Sequence, residues 1–198
     1  MDKLQIKLLS DNATLPTRNH STDAGFDIYA AETVVLEPQE KALIATDIAV
    51  NIPKGYVGLL TSRSGVSSKT HLVIETGKID AGFQGHMQIN IKNDNEELAS
   101  YDAYSFIPLA LDIAGKTIQV DSDYKEEVMI GTYQINKGDK LAQLVIVPII
   151  TPELEKVRSS TVKQQEEKKG SAQVESKRVE FEAVKKDILT KVKEVLRK

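Results

Sequence analysis

Short runs of apolar and β-branched residues, separated by polar turns, dominate the first three-quarters of the chain. The runs LQIKLL (4–9), TVVLEP (33–38), KALIATDIAVNIP (41–53), YVGLLT (56–61), MQINIK (87–92) and KLAQLVIVPII (140–150) favour strands. Gly, Pro, Asn and Asp punctuate them at the separations expected of a β-sandwich or barrel, and helical periodicity is nearly absent. The pattern predicts a mostly β domain over residues 1–152. One polar, aromatic-sprinkled segment, about 94–130, interrupts it. Segments of that length inside a compact domain usually have a use or a subfold of their own, although a decorated hairpin without a role accounts for it equally.

After Pro152 the pattern changes. Residues 153–173, with VRSSTVKQQEEKKGSAQ at their centre, read as a polar linker. Over 174–198, Val174, Phe181, Val184, Ile188, Val192 and Val195 recur at helical spacing among Lys and Glu, which predicts an amphipathic helix. Val174, Phe181, Ile188 and Val195 keep a seven-residue period that permits a short coiled coil. A helix packing back on the body has the same pattern.

Composition narrows the chemistry. The 198 residues include no cysteine, which excludes disulfides and thiolate-held metals. The three histidines, His20, His71 and His86, have no metal-ligand spacing. The N-terminal MDKLQIKLLS lacks the apolar core of a signal peptide, and no apolar run approaches the roughly 20 residues of a membrane span. A cytoplasmic protein is expected, in the host cytoplasm if the gene is a phage's. The residues from Thr151 onward carry 13 Lys+Arg against 9 Asp+Glu, so a net charge of −3 leaves the first 150 residues at −7. An acidic body argues against a broad nucleic-acid surface, and any phosphate must be met by a few local groups.

Four segments concentrate Gly, Asp, Ser, Arg and Gln beside expected strands: STDAGFDIYA (21–30), TSRSGVSSK (61–69), GKIDAGFQGHMQINIKN (77–93) and GDKLAQL (138–144). Singly, each has a plain reading as a turn or strand end. In this order and spacing they resemble the first four motifs of the trimeric dUTPases, and the resemblance covers residues from about 4 to 152. The segment at 94–130 further resembles an insertion found in certain phage members.

The resemblance implies a dUTPase-like jelly-roll or β-barrel subunit, a homotrimer with sites at its interfaces, and cleavage of dUTP to dUMP and pyrophosphate. Asp80 would orient and deprotonate the attacking water. The nucleobase hairpin would involve Ile74, Gly77, Ile79, Phe83 and Met87, reading uracil largely through main-chain groups. Phe83 stands where Tyr is usual; the ring that crowds a ribose 2′-hydroxyl is kept, so discrimination against UTP is expected to survive. Arg63, Ser64, Gly65 and Gln143 correspond to the triphosphate-binding group. Mg²⁺ is the implied cofactor, held mostly by phosphate oxygens, with Asp27 either behind it through water or orienting Arg63.

A sister family of the same fold deaminates dCTP with a Glu at the position of Asn90, and an amide is no general base. The family's fifth motif, a glycine-rich C-terminal arm with Arg and Phe, is not found here. Only Gly170, the helical Phe181 and the distant Arg158-Ser159-Ser160-Thr161 stand in that region. The missing arm leaves three outcomes open: reduced hydrolysis, binding without turnover, or closure of the site by the new tail. The alternative is a dUTPase-derived regulatory protein with weak or absent hydrolysis that binds a repressor through 94–130, where Tyr101, Tyr104, Phe106 and Tyr124 would be interface anchors or the insertion's own packing.

Overall fold

The computed structural model of the chain describes residues 3–96 and 106–156. Tyr101, Tyr104, Arg158, Gly170, Phe181, most of the expected linker and the helix expected over 174–198 lie outside the described residues. The chain divides into two units, Met1–Thr151 and Pro152–Lys198, and every described strand belongs to the first.

Strands are numbered in chain order. One four-stranded sheet runs β1 (Gln5–Leu8), β4 (Lys41–Asn51), β8 (Met87–Asn93), β6 (Leu72–Ile74). A second runs β2 (Gly25–Tyr29), β14 (Lys140–Pro148), β5 (Tyr56–Ser62), β7 (Gly77–Ile79). The third runs β11 (Thr117–Gln119), β10 (Leu109–Leu111), β13 (Tyr133–Ile135), β3 (Val34–Leu36), and β12 (Val128–Met129) pairs with β9 (Phe106–Ile107). Among the described residues the one helix is a single turn, α1 (Ser64–Ser67). The fold is mostly β, as the alternation predicts.

Residues from all three four-stranded sheets meet in one core, among them Ile28, Ile44, Ile48, Leu60, Ile89, Ile91, Tyr133, Ile135 and Leu144. β8 shows why the sequence pairs as it does. Met87, Ile89, Ile91 and Asn93 point inward, while Gln88, Asn90 and Lys92 alternate outward. Full burial of each of its isoleucines stabilises the fold by roughly 1.5–3 kcal/mol. Asn93 is the polar member of that inward row. Its Nδ2 donates to the carbonyls of Leu36 (3.0 Å) and Gly131 (2.9 Å), which satisfies it in the core.

β1, β3, β4 and β14 fall within the apolar runs of the sequence, and β5 and β8 exceed theirs by one residue each. The short β2, β6, β7 and β13 do not appear as runs; they are fixed by pairing with longer neighbours. β4 carries an irregularity. Its register against β8 shifts between Ala45, opposite Gln88, and Ile48, opposite Met87. Thr46 and Asp47 form the resulting bulge, with Asp47 at φ 51°.

The insertion at 94–130 has its own strands and a small apolar cluster of Ala110, Val120 and Val128, against which Val35 and Ile118 pack. Its two ends are clasped: Asn93 and Asn95 both donate to the Gly131 carbonyl, at 2.9 and 2.7 Å. Among the described residues no helix is long and apolar enough to cross a membrane.

Candidate active site

Sheet order brings three of the four segments together. β14 lies between β2 and β5, and Gln143 pairs with Asp27 on one side and Thr61 on the other. Paired residues in adjacent antiparallel strands share a face, so Asp27, Gln143 and the end of β5 stand at one height. Arg63 follows β5 and folds back across this level. Its Nε donates to Asp27 Oδ1 at 2.7 Å and its Nη1 to the Lys140 carbonyl at 3.0 Å. The pair is largely buried, with 25% and 13% side-chain exposure. Two of the guanidinium's five donors are thus occupied and its plane is fixed, which preorganises the remainder for an anion.

Asp27 also meets a second cation. Lys140 Nζ is 3.0 Å from Oδ2, an ion pair to a buried oxygen. Contact with Asp27 holds the Lys140 ammonium above the usual lysine range, and partial burial opposes the rise. Lys140 Nζ also donates to Asn19 Oδ1 at 3.1 Å. Ser64 and Gly65 open α1 and are exposed. A Cβ on Gly65 would meet no heavy atom within 4 Å, so open space lies beside it. Gln143 Nε2 donates to the Ser62 carbonyl at 3.3 Å, tying it to the same loop.

The third segment forms the hairpin connection between β7 and β8. Asp80 opens a tight turn in which the Phe83 N–H donates to the Asp80 carbonyl at 3.1 Å, with Gly82 at φ 94°. Only glycine adopts that third position of a type II turn readily, which accounts for the DAGF sequence. The turn leaves the Asp80 carboxyl exposed to solvent. Phe83 is 47% exposed and lies over Gly85, where a Cβ would come within 2.8 Å of the ring. Ile74 and Met87 are 7% and 2% exposed, buried in the core, so only their backbone groups can face a ligand. Gly77 and Ile79 sit in β7, opposite Leu60 and Gly58. Asn90 Nδ2 donates to Glu75 Oε2 at 2.7 Å, which commits the amide to a structural bond.

The chain does not bring Asp80 to Arg63. Ile79 pairs with Gly58, so Asp80 stands beside Val57, whereas Arg63 lies beyond the opposite end of β5. Six residues of extended strand separate the two levels by about 20 Å. Sequence reasoning missed Lys140, although it lies within the quoted GDKLAQL segment. The available signal was its position at the start of the strand that carries Gln143.

Comparison with known proteins identifies the family. The family model described as dUTPase matches residues 11–108. A deoxyuridine 5′-triphosphate nucleotidohydrolase of Mycobacterium marinum is 34% identical over 160 residues, 80% of this chain and 82% of that protein. A mutant dUTPase from phage phi11 of S. aureus, studied for its structural Mg(II) ion, is 62% identical. It has a TM-score of 0.72 and covers 81% of this chain and 99% of its own. A Staphylococcus bacteriophage 80alpha dUTPase mutant with dUpNHpp is 57% identical at a TM-score of 0.73, over 81% of this chain and 99% of its own. That structure comes from work on phage dUTPases that control transfer of virulence genes. With a relative 34% identical over 80% of its length and the family model matching residues 11–108, the chain belongs to the dUTPase family.

Proposed function

We infer that the chain hydrolyses dUTP to dUMP and pyrophosphate, working as a homotrimer. The observation that carries this reading is an exposed Asp80 at the head of a glycine-dependent turn, in a chain whose Arg63 is locked by Asp27 for contact with an anion. Asp80 holds a water and takes its proton as the water oxygen bonds to the α-phosphorus. The bond from that phosphorus to the bridging oxygen breaks, and pyrophosphate leaves with the electron pair. Arg63, the Ser64 hydroxyl, the Gly65 amide and Gln143 donate to phosphate oxygens. Main-chain groups of Ile74, Gly77, Ile79 and Met87 read the uracil edge, and the Phe83 ring lies against the deoxyribose.

Among the described residues no three His, Cys, Asp or Glu side chains cluster so as to hold a metal ion. Mg²⁺ would be held by the triphosphate oxygens and water, with Asp27 behind them and its Oδ1 engaged by Arg63. There it would neutralise the phosphates and polarise them as a Lewis acid. The separation along β5 supports a site shared between copies: Asp80 stands near one end of the strand and the Arg63 backbone beyond the other, so the hairpin of one copy would work with the phosphate group of another.

The test is Asp80→Asn, with pyrophosphate release and dUpNHpp binding measured side by side. Binding should persist while release falls by at least about 10²–10⁴-fold, the range of a lost general base. Equal rates in both proteins would remove Asp80 from the chemistry.

A second, compatible role is favoured by the insertion. It has its own apolar cluster and exposes Leu109, Tyr124 and Ile130, the kind of surface that engages a protein such as a repressor.

A further inference from the structure

We propose that His86 is a positioning residue for the hairpin that carries Asp80 and Phe83, acting through the backbone amide of Asp47. The inference rests on the hydrolytic reading above and concerns the same site.

Residues 80–86 cross from the sheet containing β7 to the sheet containing β8, and all of them are exposed. The leg before Asp80 is held by β7–β5 pairing, and the leg after His86 by β8–β4 pairing. Between these legs, two side-chain bonds tie the loop to the body among the described residues. Gln84 Nε2 donates to Asn51 Oδ1 at 3.2 Å, and the Asp47 N–H donates to His86 Nε2 at 2.9 Å. Both land on β4.

The Asp47 bond has the features of a fixed point. Asp47 holds a left-handed backbone, φ 51°, which a non-glycine residue keeps only where its surroundings over-determine it. Those surroundings are present. The Asp47 carbonyl accepts from the Leu9 N–H at 2.8 Å, its carboxylate accepts from the Ser10 hydroxyl, and the buried Thr46 hydroxyl donates to the Met87 carbonyl. The bulge is thereby tied on one side to the residues that follow β1 and on the other to β8. Its outward amide is a rigid donor at a set position, and His86 is the residue that reaches it. Nε2 accepts this proton, so its 3.3 Å approach to Asp47 Oδ1 is not a charged pair in this form.

The consequence for catalysis is geometric. A base must hold its water within tenths of an ångström, and a misplacement of about 1 Å costs on the order of 100-fold in rate. An exposed seven-residue connection with one anchor fewer would let Asp80 and Phe83 shift together.

Two variants test this. His86→Leu removes the acceptor, and His86→Gln returns an oxygen close to the Nε2 position. Pyrophosphate release, dUTP KM and amide hydrogen exchange over 80–86 are measured for wild type and both variants, with rates expressed per dUpNHpp-binding site so that misfolded chains are not counted. His86→Leu should lose about 10- to 100-fold in kcat with faster exchange in the loop, and His86→Gln should recover most of both. Wild-type values in His86→Leu, or equal losses in the two variants, would overturn the latch. If the wild type itself released no pyrophosphate, hydrolysis would be the reading that failed, and the exchange data alone would decide the latch.

Discussion

At the scale of single residues, Asp80 combines two properties that look like alternatives in the sequence. It begins a turn, as Asp commonly does, and that turn is what holds its carboxyl out in solvent. Arg63 and Asp27 likewise belong to each other before they belong to any ligand. Asp139, in the turn preceding β14, is a group the fold holds at a cost. Burial pushes its carboxyl above the usual aspartate range, the Asn136 N–H at 2.8 Å pulls it down, and the Asp112 charge adds to the rise. A raised folded pKa favours the neutral form, so this group's stabilising contribution is full in acid and is lost as pH rises through the raised value. Asp139→Asn, which keeps an acceptor for Asn136, should therefore raise the melting temperature at neutral pH. The gain should vanish below the ordinary aspartate range, as thermal denaturation at both pH values would show. Asp80, Arg63 and Gln143 stand out in the sequence as candidates because motif resemblance assigns each a role. His86 and Lys140 do not, since the contacts that define them reach Asp47 and Asp27 across long stretches of chain.

At the scale of elements, legibility follows apolar density. β4, β5, β8 and β14 have enough residues to display apolar density, and they organise two of the sheets. β2, β6 and β7 are short and carry functional or turn residues, so their pairing, not their pattern, makes them strands. The bulge in β4 was invisible for a related reason: nothing in TDIAV marks a register shift, which exists only relative to β8. The insertion was visible as a long polar interruption, but its strands were not. Its clasp at Asn93, Asn95 and Gly131 predicts modular behaviour. Deleting 96–128 should leave dUTP hydrolysis within a few-fold of wild type, because no site residue lies there. It should lower the melting temperature, because Val35 loses its cover and β13 loses the β10 contact. Any protein partner of the insertion should no longer bind. Loss of hydrolysis in a folded deletion variant would count against this division of labour.

At the scale of the whole molecule, one chain supplies two half-sites at opposite ends of β5. That arrangement predicts complementation. Arg63→Ala and Asp80→Asn should each be nearly inactive alone. Co-expressed trimers should regain roughly a quarter of wild-type sites, namely those where an intact hairpin faces an intact phosphate group across a head-to-tail interface. Pyrophosphate release from the mixed trimers measures this, and inactivity of the mixture would mean that each site is built within one chain. β5 thus acts as a spacer between the two groups. If the site is shared between copies, the spacing ties hydrolysis to assembly: activity per chain should fall on dilution below the range where copies associate, and activity per chain that stays constant there would count against a shared site.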